Sequence, residues 1–309
     1  MILMPATNAV AQSDRPTWSK RLGWPADKRV LLLHADDIGM CHEANSSAQR
    51  SLGRGEYRSA AAMVPCPWFD EMAAWCVEHP NHDVGLHLTL TSEWKHYRWG
   101  PVAPRGQVRG LLDPFGYLHR DVPGVLGSAT GEEVANEIKA QLARARKLGM
   151  KPSHLDTHMG TLYRKAEYMR AYLDLAVREE IPAMVIDMTP KNLAKFRGQG
   201  YPIRDDLLKA IEDYPLPKLD DFHGIQSAKS YQEKRTQLFD LVRGLPPGLH
   251  EIIFHPSVET EGLKRITGSW QQRSWEDRLF GDPAVLQFWK DEGVIITDWK
   301  EVLARLKRK

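Results

Sequence analysis

The chain has 309 residues, 42% of them hydrophobic, enough for one large α/β domain or two smaller ones. Its 42 Lys and Arg against 40 Asp and Glu leave a net charge of +2 with no basic stripe, which argues against a nucleic-acid partner. No apolar run approaches the roughly 18 residues of a membrane span, and Cys41, Cys66 and Cys76 form neither a disulfide framework nor a Cys-x-x-Cys pair.

Residues 1–28 read as an N-terminal extension. Ala9-Val10-Ala11 has the A-x-A form of a signal-peptidase site, but no basic segment precedes it, and Pro5, Thr7 and Asn8 break its apolar stretch. A truncated signal peptide ending near Ala11, with export, and a cytoplasmic location are equally compatible with this pattern. From there strand-like and helix-like segments alternate. The run VLLL begins a buried strand over 30–35, and a helix over 42–54 is closed by Gly53 and Gly55. A strand over 59–64 stops at PCP, a helix covers 67–78, and DVGLHLTL at 83–90 is a third strand. Residues 91–128 have no clear periodicity and are rich in Gly, Pro and aromatics, the profile of a functional or disordered loop. The next helix carries Thr130 at its N-cap, Glu133 three residues on and Gly149 at its end. Strands follow at 153–158, 183–187, 250–257 and 293–299, with helices over 162–180 and from Lys300; residues 189–249 form a long insert without a sharper signal. Strands alternating with helices predict βαβ units and a mostly parallel sheet of about seven strands, barrel-like or strongly curved.

In such folds the site lies at the carboxyl ends of the strands. Asp36 and Asp37 close the first strand, His87 lies near the end of the third, and His255 follows EIIF directly. His154, Asp156 and His158 alternate along HLDTH and share one face of an extended segment. Singly, each reads as a surface His or a turn carboxylate; jointly, four strand ends deliver imidazole or carboxylate to one rim. One Asp and two His suit a divalent ion with positions left for water and substrate. A second carboxylate then serves as proton acceptor and a further His as proton donor, the chemistry of metal-assisted amide or ester hydrolysis. Cys41, near the Asp pair, reads as buried under the helix; a nucleophilic Cys–His role is the weaker alternative.

HADDIG, GLHLTLT, HLDTH and FHPS, in that order, resemble the motifs of the YdjC-like carbohydrate deacetylases, which include chitooligosaccharide deacetylase. The later RSWEDRLFGDPAVLQFWKDEGVIITDWKEVL resembles that family's Arg-x-x-Glu segment and closing strand and helix, so the likeness runs from roughly residue 29 to 304. The resemblance implies a distorted (β/α) barrel related to the polysaccharide deacetylases, with 29–309 as a single catalytic domain. It also implies one divalent metal, zinc or magnesium foremost, and hydrolysis of N-acetyl groups from an amino sugar or oligosaccharide. By the same carry-over Asp36 is the general base, Asp37, His87 and His158 are the metal ligands, His255 is the general acid, and Arg273 holds or tunes the base. His154 and Asp156 become contacts to the ligands or the substrate, and Trp94, Tyr97 and Trp99 become sugar-stacking rings or simply loop packing. Two departures stand out: HMGTLY after the third ligand where the family has further His residues, and His34 where it commonly has Asn. Two other readings keep the scaffold: an amidase or esterase for a non-sugar acyl compound, and an inactive carbohydrate-binding relative. Oligomeric state is not encoded in any of these motifs.

Overall fold

The computed structural model describes residues 15–308. Its centre is β1 (Arg29–Ile38), buried at every position after Arg29, as an apolar run covered on both faces requires. On one side of it follow β2 (Ser59–Ala62), β3 (Asp83–Leu88) and β4 (Leu155–Thr157); on the other lie β6 (Gly248–Phe254) and then β5 (Asp221–Gly224), all parallel. The last strand, β7 (Ile295–Thr297), pairs with residues 30–32 of β1, while β2 pairs with 34–38, so the two take successive stretches of one edge. The result is a curled parallel sheet with helices around it, an α/β barrel-like fold.

The gap between β4 and β5 is spanned by a less regular segment. Residues 183–187, expected as a strand, make only single bridges, Leu155 to Ala183 and Ile186 to Leu219. Met184 N–H donates to Leu155 O at 2.9 Å and Leu219 N–H to Val185 O at 2.8 Å, which carries the sheet round towards β5. The strand that sequence reading missed, β5, lies inside the 189–249 insert. Its residues, DFHG, contain one apolar side chain and are only partly buried, so no hydrophobic run announces it. The rest of the insert forms helices Pro190–Gly198, Asp205–Asp213 and Tyr231–Gly244.

Alternation along β1 sorts its side chains into two cores. Leu31, Leu33 and Ala35 face the surrounding helices, whereas Val30 and Leu32 point inward with Leu249, Ile186 and Leu219. Trp18, Leu22 and Trp24 join this inner core, and the N–H groups of Trp18 and Ser19 donate to the Asp220 carboxylate at 2.8 and 3.2 Å. A buried apolar side chain such as Leu22 contributes about 2 kcal/mol, so the described end of the N-terminal extension is packed onto the barrel. The Ala9-Val10-Ala11 pattern lies outside the described residues. No helix among the described residues is long and apolar enough to cross a membrane.

Further up, the inner face turns polar. His34, on the same face as Leu32, is followed inward by His87 and Asp156, which are register partners on β3 and β4. Gly85 sits where a Cβ would come within 2.5 Å of the His154 ring, so the absent side chain is what admits that imidazole.

Candidate metal centre and catalytic pair

In a regular strand Asp36 and Asp37 would face opposite sides of the sheet. The register between β1 and β2 advances from Ala35 to Ile38 on one strand but only from Ala60 to Ala62 on the other, which is a bulge of one extra residue. Asp37 takes a left-handed φ of 61°, and Gly39 follows at 81°. Asp is among the residues that tolerate this conformation. At Gly39 a Cβ would also lie 3.3 Å from Phe69 Cα, so glycine serves both the turn and the close approach. The bulge brings both carboxylates to the carboxyl end of the barrel.

There Asp37 Oδ1 lies 3.1 Å from His158 Nδ1 and 3.5 Å from His87 Nε2, and the two ring nitrogens are 3.2 Å apart. All three side chains are buried, and Asp37 Oδ1 has no hydrogen-bond donor among the described residues. A small triangle of one carboxylate oxygen and two imidazole nitrogens, with an orphaned anionic oxygen at one corner, fits a divalent ion at ligand distances of about 2.0–2.2 Å. Each ring is aimed by a carboxylate on its other nitrogen: His87 Nδ1 is 2.9 Å from Asp156 Oδ2, and His158 Nε2 is 3.0 Å from Glu93 Oε1. Such partners set the tautomer that leaves the inner nitrogen free for a metal.

The groups around the triangle favour one another's charged forms. Burial opposes ionisation of Asp37, but Arg273 and then His158 and His87 outweigh it and hold the carboxyl well below its usual range. Burial likewise disfavours charged imidazoles, yet Asp36 and Asp156 lift His87 well above its usual value, and Glu93 and Asp37 lift His158 to about 9. A metal taking this position displaces those ring protons, so uptake releases protons. Glu93, which sequence reading missed, is central to this balance. Replacing Glu93 with Gln is expected to weaken metal affinity by about 10- to 100-fold, read by competition with a chromogenic chelator; unchanged affinity would show that His158 orients itself.

Asp36 is 4% exposed and stands beside the triad. Its Oδ1 is 3.2 Å from His34 Nε2 and its Oδ2 is 4.0 Å from His255 Nε2. The His255 side chain is 42% exposed, while its backbone N–H donates to Glu276 Oε2 at 2.6 Å. A carboxylate and an imidazole thus flank the triangle, one shielded and one open to solvent. Arg273, on helix Trp270–Leu279, donates to Asp37 Oδ2 at 2.6 Å. That corrects the expectation that it holds Asp36: the guanidinium grips the metal-ligand candidate, leaving its other oxygen for the triangle.

A profile of the YdjC-like protein family matches residues 30–291, a span that holds all of these side chains. The chain belongs to the YdjC-like family. It is 31% identical over 269 residues to the carbohydrate deacetylase of Thermus thermophilus, covering 86% of this chain and 91% of that one. Against the carbohydrate deacetylase of Thermoanaerobacter pseudethanolicus it is 25% identical over 271 residues, covering 88% and 98%. Among solved structures, a protein of Enterococcus faecalis V583 assigned to cellobiose-phosphate cleavage superposes with a TM-score of 0.72 at 22% identity, covering 89% of this chain and 99% of that one, which supports the fold.

Other expected site residues of this YdjC-like chain fall into different places. Asp156 is 1% exposed and serves His87 and His34, so a substrate contact is excluded for it in this structure. His154 is fully buried, 3.4 Å from Asp83 and stacked on Trp299 at 5.6 Å, inside the barrel and away from any ligand. The loop over 91–128 is ordered, its Val102 and Ala103 N–H groups both held by Glu137 at 2.9 Å. Within it Trp99 is core, its indole N–H donating to Thr91 O at 2.8 Å. Trp94 lies with the Arg273 guanidinium 5.4 Å from its ring, and Tyr97 donates to Met40 O at 2.8 Å. Trp94 is buried in the core like Trp99, and Tyr97 is half-buried against it. Cys41 is buried, and burial pushes its thiol up to about 12, which leaves no thiolate for nucleophilic chemistry.

Proposed function

We propose that this chain is a metal-dependent hydrolase that removes N-acetyl groups from an amino sugar or oligosaccharide. The observation that carries the reading is the triangle of Asp37 Oδ1, His87 Nε2 and His158 Nδ1 with Asp36 and His255 beside it. The carbohydrate deacetylases among its relatives favour a sugar over another acyl compound. Asp37, His87 and His158 would hold one divalent ion, which when bound makes a water molecule more acidic and polarises the acyl carbonyl.

The remaining steps belong to this chain's own groups. Asp36 accepts the proton of the attacking water through its carboxylate as the water oxygen adds to the acyl carbon. Arg273 keeps Asp37 ionised and aimed. His255 delivers a proton to the amide nitrogen as the C–N bond breaks, so the amine leaves neutral and acetate is the second product. Its exposure lets it regain that proton from solvent. Of the loop rings, Trp94 is buried in the core with Trp99, and the half-buried Tyr97 is the one left to meet a sugar face.

Acetate release from a panel of N-acetylated mono- and oligosaccharides tests the reading, with chelator and with single metals added back. Release that stops with chelator and returns with one metal is the expected result. A protein that binds metal yet releases acetate from none of the sugars would overturn it.

A further inference from the structure

Asp36 and Asp37 are neighbours in sequence, and each lies against its own cationic nitrogen group, one as a hydrogen bond and one as a charge pair. Arg273 takes Asp37 Oδ2 and leaves Oδ1 to the triangle. The counterpart for Asp36 is His34, whose Nε2 lies 3.2 Å from Asp36 Oδ1 as a close charge pair and not as an aligned hydrogen bond: neither atom has a hydrogen-bond partner among the described residues. His34 is fully buried and doubly fixed: its Nδ1 is 2.8 Å from Ser59 Oγ, and its ring packs edge-on against His154 at 4.9 Å. The same Nε2 is 3.5 Å from Asp156 Oδ2, the carboxylate that aims His87. One imidazole therefore touches both the catalytic carboxylate and the partner of a metal-ligand candidate.

We propose that His34 is the positioning residue of the general base: it holds Asp36 Oδ1 from inside the barrel and so turns Oδ2 outward to the attacking water. The proposal rests on the deacetylase reading above. The direction of the two oxygens agrees with it, because Oδ2 is the one that faces His255. Charge agrees as well. Burial opposes a proton on His34, but Glu251, Asp156 and Asp36 outweigh it and raise the imidazole well above its usual value. A buried carboxylate gains most from a donor that is itself charged. Arg273 does not take this part: its Nη2 donates to Asp37 Oδ2, and its Nη1 has no hydrogen-bond partner among the described residues.

The test uses the full-length protein loaded with zinc and acting on N-acetylglucosamine and short chitin oligomers. His34→Asn and His34→Phe are made alone and with Asp36→Asn. The expected result is unchanged zinc content and KM, with kcat lower by about 10- to 100-fold. In the Asp36→Asn background the same change should cost no more than about twofold, because His34 then has nothing left to position. A crystal structure of His34→Asn should show the Asp36 carboxylate rotated away from His255. Folded, zinc-loaded His34→Asn with wild-type kcat overturns the proposal, as does a full loss that persists beside Asp36→Asn. So does a second zinc ion per chain that disappears with His34, which would make His34, Asp36 and Asp156 a cation site. If the wild type releases no acetate, the deacetylase reading is what fails, and the orientation of Asp36 in the His34→Asn crystal decides the positioning role by itself.

Discussion

Asp36→Asn is expected to lower kcat/KM for acetate release by about a hundred- to ten-thousandfold while the protein keeps its full complement of metal. The substitution preserves shape and removes only the capacity to take a proton. None of the triangle's atoms belongs to Asp36, and Arg273 is bonded to the other aspartate, so the ion's surroundings stay intact. Rates with the preferred sugar and elemental analysis of the same sample check both halves. Near-normal turnover would move the base to another group, with His255 the next candidate by position. Loss of metal together with turnover would make Asp36 a ligand.

Asp37→Ala should abolish metal binding and also destabilise the metal-free fold. Arg273 is only 8% exposed, and its other terminal nitrogen already lacks a hydrogen-bond partner among the described residues. Removing the carboxylate strands a buried guanidinium, a loss of about 3–5 kcal/mol. Denaturant unfolding of metal-free samples isolates this effect, because any bound ion would add its own stabilisation to the wild type. Arg273→Met introduced alongside should recover much of the loss, since a buried pair replaced on both sides by apolar groups costs little. Equal stability of Asp37→Ala and wild type would mean that the guanidinium finds another partner, of which Glu276 on the same helix is the nearest in sequence.

The strand ends that carry the site are legible in the residues because burial and chemistry alternate so sharply there. VLLL running into HADD, and EIIF into HPS, can only be covered strands ending at a polar rim. The positions of Asp36, Asp37, His87, His158 and His255 follow from that rule together with the family resemblance. What stays hidden has a common cause: it depends on backbone geometry or on which distant side chain arrives. No pattern in HADDIG reveals the left-handed Asp37 that lets both aspartates face one way. Arg273 and the Asp pair are 236 positions apart, so which carboxylate the guanidinium meets is decided by packing. Glu93 reads as one more acidic loop residue until the loop folds back on His158. The alternation of HLDTH suggested a shared face for all three polar residues. His154 does point inward, but one layer lower in the barrel, where Gly85 leaves room for its ring.

The left-handed conformation at position 37 also restricts which substitutions this barrel can accumulate. A ligand there must be both short and at ease with positive φ, and Asp and Asn satisfy that better than Glu or Ala. Asn keeps the backbone turn and an oxygen for Arg273, but it turns an NH2 group towards the two rings in place of the second oxygen and forfeits the charge. Under the deacetylase reading, a single nucleotide step, from an aspartate to an asparagine codon, would therefore separate a metal-dependent hydrolase from a lineage that retains the fold but has given up its metal. On the same reading, loss of the metal has an open path at this residue, whereas a longer carboxylate would carry its oxygens past the position from which Asp37 Oδ1 meets both rings.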